Sequence, residues 1–231
     1  MDVFISAIIA STIFIIISQK YFLAKGFVDK IKIRSSHDSK ATRSGGSAIF
    51  LTLLLFTSYY YFRSYEIFDF SLLIPLGLIF LIGLYDDVYR ADFKLKFIFQ
   101  IIVAKILIDQ GVLIETLNGF IGIYEIPYSL SQILSIFIFL LIVNATNFTD
   151  GIDGLAVTEV LKSIILIIMF SDASFSLGYN YILYLTGISL LPIYIFNYRK
   201  EEKVFLGDSG SLLLGAILYV GILNLNNNID L

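Results

Sequence analysis

Asn144-Ala145-Thr146-Asn147-Phe148-Thr149-Asp150-Gly151-Ile152-Asp153-Gly154-Leu155-Ala156 separates two long apolar runs, LSIFIFLLIV (134–143) and AVTEVLKSIILIIMF (156–170). Runs of this kind on both sides read as membrane spans. Polar groups at the edge of a span are costly unless they are used. Asn144, Asn147, Asp150 and Asp153 recur at every third residue. That spacing puts neighbours on adjoining parts of one helix face, or in line on a short 3₁₀ piece. Gly151 and Gly154 leave room between the acids for backbone or ligand. The plainer alternative is an interhelical turn whose Asn, Thr and Asp only cap helices.

The composition agrees with a membrane setting. The 231 residues are 58% hydrophobic and 15% charged, where a soluble domain carries about a quarter charged residues. Mean hydropathy is +0.86. The expected fold is an all-α polytopic membrane protein, a single membrane-embedded domain over 1–231. There is no cysteine and one histidine, His37, which excludes disulfides, thiolate sites and a multi-histidine zinc cage. A metal would be held by oxygen, which points to Mg²⁺ or Mn²⁺. The first apolar run starts at residue 3 without a basic n-region and reads as a retained span, not a cleaved signal peptide.

Apolar runs predict about eight transmembrane helices, near 3–24, 45–62, 68–84, 97–115, 129–143, 156–171, 179–197 and 211–225. One set of loops carries Lys25, Lys30, Lys32, Arg34, Lys40 and Arg43, then Arg90, Lys94 and Lys96, then Arg199, Lys200 and Lys203; the other holds only Arg63. The positive-inside rule puts the basic set in the cytoplasm. Asp86-Asp87, the Asn144–Ala156 stretch and Asp208 then all fall at cytoplasmic span ends. On the other side, VLIETL-Asn118-Gly119-FIGIYEI predicts a small extracytoplasmic β-hairpin turning at Asn-Gly.

Three more segments carry chemistry. In His37-Asp38-Ser39-Lys40-Ala41-Thr42-Arg43-Ser44-Gly45-Gly46, the glycine pair bares amides at a helix start, and Arg43 can fork onto a phosphate. In Gly83-Leu84-Tyr85-Asp86-Asp87-Val88, two adjacent carboxylates repel unless a cation or proton lies between them. They sit at a helix C-terminus, the wrong pole for anions, so capping is not expected to explain them. One of them could serve as a general base. In Phe205-Leu206-Gly207-Asp208-Ser209-Gly210-Ser211, Asp208 on a tight loop suits a metal or phosphate contact, or an N-cap. Lys96 and Gln100 follow at helical i, i+4 spacing. Five acids on one membrane face beside Arg, Lys and Gly-rich backbone is the chemistry of phosphoryl or phosphosugar transfer.

With these motifs in order (RSSH…TRSGG, GLYDDV, Lys96…Gln100, NATNFTDGIDGLA, FLGDSGS), the chain resembles the polyprenyl-phosphate N-acetylhexosamine-1-phosphate transferase family from Val28-Asp29 to about Gly215. That family includes bacterial undecaprenyl-phosphate GlcNAc-1-phosphate transferases and phospho-MurNAc-pentapeptide translocase. The resemblance is nearer the former, because Arg precedes Gly-Gly in the first loop. It implies transfer of HexNAc-1-phosphate, with GlcNAc as default sugar, from a UDP-N-acetylhexosamine to undecaprenyl phosphate with Mg²⁺ or Mn²⁺. The products would be UMP and a lipid diphosphosugar for O-antigen, capsule or other envelope polysaccharide. It implies a multi-pass protein of the bacterial inner membrane with its site facing the cytoplasm, no nucleic acid partner, and a homodimer as one assembly.

By the resemblance, Asp208 is the metal ligand with Asp87 as its helper, and Asp86 or Asp87 is the catalytic base toward the lipid phosphate. Asn147, Asp150 and Asp153 contact the nucleotide sugar, Phe205 stacks on uracil, Lys96 neutralises a phosphate, and Arg43 contacts diphosphate or sugar. Two features depart from the family. Lys40-Ala41-Thr42-Arg43 stands for the common Pro-Thr-Pro-Arg. Family members also continue into further spans and a His-x-His-His-like loop, whereas His37 is the one histidine here. The open readings are therefore a truncated chain, a short variant, or an inactive relative serving as a binding or assembly subunit. An ion-coupled transporter is a third class, but it wants acids near the bilayer midplane and repeated halves.

Overall fold

A computed structural model describes residues 2–28, 41–65, 70–171, 177–199 and 201–227. The RSSH motif with His37, and Lys200, lie outside the described residues. Eight α-helices follow in order: α1 (Asp2–Lys25), α2 (Gly45–Phe62), α3 (Leu73–Tyr89), α4 (Phe93–Asp109), α5 (Tyr128–Thr149), α6 (Leu155–Phe170), α7 (Leu177–Asn197) and α8 (Gly207–Asn227). Two-residue strands β1 (Ala41–Thr42) and β4 (Lys203–Val204) pair in parallel, and β2 (Thr116–Phe120) pairs antiparallel with β3 (Ile123–Glu125).

Among the described residues six segments are long and apolar enough to cross a membrane: Val3–Lys25, Gly45–Phe62, Phe70–Tyr89, Tyr128–Thr149, Asn180–Asn197 and Gly207–Leu225. The expected all-α polytopic architecture is present. The other two helices, α4 and α6, have 17 and 16 residues and are each about 25 Å long; α4 is shorter than the span expected at 97–115, whereas α6 has the length expected at 156–171. For α4 the stop is visible. Gly111 takes φ +86°, its amide donates to Ile108 O, and the Val112 amide donates to Leu107 O. This is a Schellman ending, which closes the helix six residues before the expected boundary.

α8 is the hub. It packs on α2, α3, α5, α6 and α7. Its apolar window is 78% buried, against 28% for α1 and for α5. Leu212, Leu213, Leu214, Ala216, Ile217 and Tyr219 point in several directions and are all buried, as in a helix enclosed on every side. The outer helices instead leave Ile17, Leu81, Ile133 and Ile195 exposed, which suits contact with lipid.

Close approach to α8 runs through small residues. A Cβ on Gly83 would lie 2.6 Å from the Asp208 carbonyl oxygen, and one on Gly46 would collide with the Gly210 amide. A Cβ on Gly215 would lie 2.7 Å from Val143 Cα. Glycines on α2, α3 and α8 thus let backbones meet at van der Waals distance, a device typical of membrane helix packing.

The hairpin forms, but its turn is not Asn118-Gly119. Those residues take φ +48° and +80° inside β2, where the register slips between Thr116 and Phe120, so they form a bulge. The chain reverses at Ile121-Gly122, with φ +57° and +77°, a two-residue turn of the primed kind. Phe120 and Ile123 flank it as ladder partners, and the Gly122 amide donates back to Gly119 O at 2.9 Å.

Gly83→Ala is expected to lower stability by about 1–3 kcal/mol through overpacking against α8. It would be read as a fall in thermal midpoint of the detergent-solubilised protein. An unchanged midpoint would contradict so close an α3–α8 approach.

Candidate active site

Antiparallel helices bring the C-terminal ends of α3, α5 and α7 and the N-terminal ends of α2, α4, α6 and α8 to one end of the bundle. The loop before α8 is tied there by its backbone. Phe205 N–H donates to Thr42 O, and Phe205 O and Leu206 O accept from Gly45 N–H and Gly46 N–H, all at 2.9 Å. The Gly45 and Gly46 amides, expected to be open to an anion, are therefore spent on this loop.

The start of α8 leaves main-chain amides that its own helix cannot satisfy. Two distant carboxylates satisfy them. Asp150 accepts from Gly207 N–H at 2.9 Å. Asp87 takes the next two, accepting from Asp208 N–H at 2.8 Å and Ser209 N–H at 2.9 Å, one on each oxygen. None of the Asp87 side chain is exposed. The positive end of the α8 dipole favours these anions. Burial, and then the nearby Asp87 charge, push the Asp150 carboxyl well above the ordinary carboxylate range, while the Gly207 amide and Arg43 pull against that rise.

Asp87, expected as a base and metal ligand, here receives two of the first amides of α8. It sits at the wrong pole of its own helix but at the right pole of another, and both oxygens are engaged by amides. Its neighbour Asp86 turns toward α4. Asp86 Oδ1 accepts from Ala91 N–H at 2.6 Å, and Oδ2 accepts from Lys96 Nζ at 2.9 Å. The same Lys96 ammonium donates to Asp208 Oδ2 at 2.7 Å. Lys96, Asp86 and Asp208 keep 22%, 13% and 16% side-chain exposure, so this triad, unlike Asp87, opens to the outside.

The other expected contacts are distributed around it. Asn147 donates to Ser211 Oγ at 2.8 Å, fastening α5 to α8. Asp153 forms an ion pair with Lys203. Arg43 lies 3.9 Å from Asp87, with 40% of its side chain exposed, and crosses the surface of Gly207. Phe205 is only 7% exposed, so its ring offers no open face for uracil; the backbone pairing that fixes its loop also draws it inward. Asn144 and Gln100 form a reciprocal amide pair, at 2.8 and 3.4 Å, between α5 and α4.

One strut had no signal beyond an asparagine closing an apolar run. Asn197 is buried, accepts from Gly154 N–H at 2.6 Å and donates to Val204 O at 2.9 Å, joining the Asp150–Gly154 turn to β4. Lys203, which the loop charges marked only for topology, holds Asp153.

The donor set fits a hard cation in part. Among the described residues no three Asp, Glu, His or Cys side chains gather as a ready cage. Asp86 and Asp208 converge on one cation, the Lys96 ammonium, and supply only oxygen. Such a pair suits Mg²⁺, which keeps waters and takes substrate phosphates for its remaining positions.

The model of glycosyl transferase family 4 matches residues 69–226. An undecaprenyl-phosphate alpha-N-acetylglucosaminyl 1-phosphate transferase of Thermotoga maritima is 34% identical over 192 residues, 83% of this chain and 55% of the relative. A decaprenyl-phosphate N-acetylglucosaminephosphotransferase of Mycobacterium tuberculosis is 35% identical over 162 residues, 64% of this chain and 39% of the relative. A probable undecaprenyl-phosphate N-acetylglucosaminyl 1-phosphate transferase of Bacillus subtilis is 27% identical over 242 residues, 99% and 64% respectively. The chain spans about half the length of the curated relatives it matches.

The two adjacent acids are expected to behave differently. Asp87→Ala orphans two buried amides and should cost about 2 kcal/mol or more. Asp86→Ala removes one arm of a partly exposed ion pair and one hydrogen bond from Ala91 N–H, and should cost less, about 1 kcal/mol. Thermal midpoints in detergent compare them; equal shifts would go against the capping role.

Proposed function

The chain belongs to glycosyl transferase family 4, and from that membership we propose that it transfers GlcNAc-1-phosphate from UDP-GlcNAc to undecaprenyl phosphate. A phosphate oxygen of the lipid attacks the β-phosphorus of the nucleotide sugar. A new P–O–P bond forms, the bond from the β-phosphorus to its bridging oxygen breaks, and UMP leaves. The observation that carries this reading is the Lys96 ammonium shared by Asp86 and Asp208 at the open end of the bundle. It is supported by the substrates in the relatives' names, N-acetylglucosamine 1-phosphate and a polyprenyl phosphate.

In this reading the residues divide the work. Asp208 and Asp86 would hold Mg²⁺, which when bound offsets diphosphate charge. Asp86 is the better candidate than Asp87 to accept a proton from, or orient, the lipid phosphate, because it reaches the surface and Asp87 is occupied. Lys96 and Arg43 supply positive charge for the phosphates, a point charge from one and a fork from the other. Asp87, Asp150 and Asn147 keep the Asp208 loop in one geometry, so that charge stabilisation needs no reorganisation during the reaction. The site lies at the end of apolar helices because one substrate carries its phosphate on a lipid. In the same reading that end faces the cytoplasm at the bacterial inner membrane, which the excess of Lys and Arg in the loops on that side supports.

Membranes from cells expressing the protein are expected to release UMP from UDP-GlcNAc only when undecaprenyl phosphate and Mg²⁺ are both present. Asp208→Asn should lower that rate at least about a hundredfold. UMP release without the lipid, or an active Asp208→Asn protein, would overturn the assignment.

A further inference from the structure

We propose that Lys96 is a built-in counter-cation: it holds Asp86 and Asp208 together before the metal arrives, and the divalent ion displaces it. The inference rests on the metal-assisted transferase reading above and assigns Lys96 a movement within it.

The geometry separates fixed partners from a movable one. Asp86 is anchored through its second oxygen, which accepts from Ala91 N–H at 2.6 Å. The backbone of Asp208 is anchored by its amide on Asp87 at 2.8 Å. The Lys96 side chain, by contrast, is held only through its tip. Its ammonium donates to the two carboxylates at 2.9 and 2.7 Å, and no third partner is found among the described residues. It stands in the first turn of α4 on a flexible four-carbon stem. With 22% exposure, the side chain has space to leave.

Charge supplies the direction. Two carboxylates that converge this closely repel, and an intervening cation relieves the repulsion. One ammonium neutralises one of the two charges and leaves a net negative site. A divalent ion neutralises both, so exchange favours the metal when it is present. The released ammonium remains tethered next to the acids, where a phosphate brought by substrate can take it. Arrival of the metal thus turns Lys96 from a partner of the carboxylates into a partner of phosphate. The Gln100–Asn144 pair, one turn along α4, keeps the base of the lysine from drifting while its tip moves.

The test measures Mn²⁺ binding to the purified full chain in detergent by electron paramagnetic resonance, with no substrate. Lys96→Met removes the competitor and is expected to bind Mn²⁺ about tenfold more tightly than the unaltered protein. In the unaltered protein, mass spectrometry should find acetylation of Lys96 by acetic anhydride rising several-fold at saturating Mn²⁺, because a released amine reacts faster than one held by two acids. Equal or weaker Mn²⁺ binding by Lys96→Met overturns the proposal, as does failure of both forms to bind Mn²⁺. If Lys96→Met does not fold, the acetylation result decides: unchanged or reduced labelling overturns the displacement. UMP release is measured separately. If it fails while both Mn²⁺ effects appear, the transferase reading falls and the displacement stands; if UMP is released without them, the reverse holds.

Discussion

The buried carboxylate of Asp87 against the N-terminus of α8 is the interaction on which the rest depends. α8 is enclosed by five other helices, so its first amides cannot reach bulk water. Within a bilayer-sized bundle an unpaired amide is expensive, and no residue of the local loop replaces the missing acceptors. Asp87 from α3 and Asp150 from the turn after α5 provide them. The result is a joint between three helices that are far apart in sequence. It also sets where Asp208 stands, because Asp208 is itself one of the capped residues.

This arrangement explains the glycines better than catalysis does. Gly46, Gly83 and Gly210 let α2, α3 and α8 close to backbone contact, and that closeness is what brings the short Asp87 side chain within reach of the α8 amides. A larger residue would move the cap and Asp208 together. Stability and chemistry therefore share one set of constraints at this end of the bundle. The triad of Asp86, Lys96 and Asp208 hangs on the outside of that joint, with the exposure that a substrate needs.

The polar stretch after α5 turns out to be two structures. Asn144 and Asn147 continue the helix, one facing Gln100 on α4 and the other Ser211 on α8. Asp150 and Asp153 lie beyond it, where Gly154 with φ +71° opens α6 and Tyr198 packs across it. The capping alternative applies to one member and interhelical ties to the others. Asp150 caps, at long range rather than locally; Asp153 pairs with Lys203 on the other side of the turn.

Several elements were legible without coordinates. The apolar runs predicted the all-α architecture, because a helix crossing lipid must satisfy its own backbone and needs a known length of apolar side chains. Loop charges and span parity predicted that Asp86, Asp87, Asp150 and Asp208 share one end. The ordered motifs pointed to the family that the comparisons support. What the sequence could not assign was the division of labour between Asp86 and Asp87, adjacent acids of identical chemistry. Which one caps and which one faces outward depends on the rotation of α3 against α8, set by glycine contacts between residues more than a hundred positions apart. The same holds for Phe205, which a parallel backbone pairing buries, and for Ile121-Gly122, which displaced the stronger Asn-Gly turn signal. Local sequence determines which residues are helical, apolar or charged. Only tertiary packing decides which orphaned amide a given carboxylate must answer, because that demand arises on a different helix.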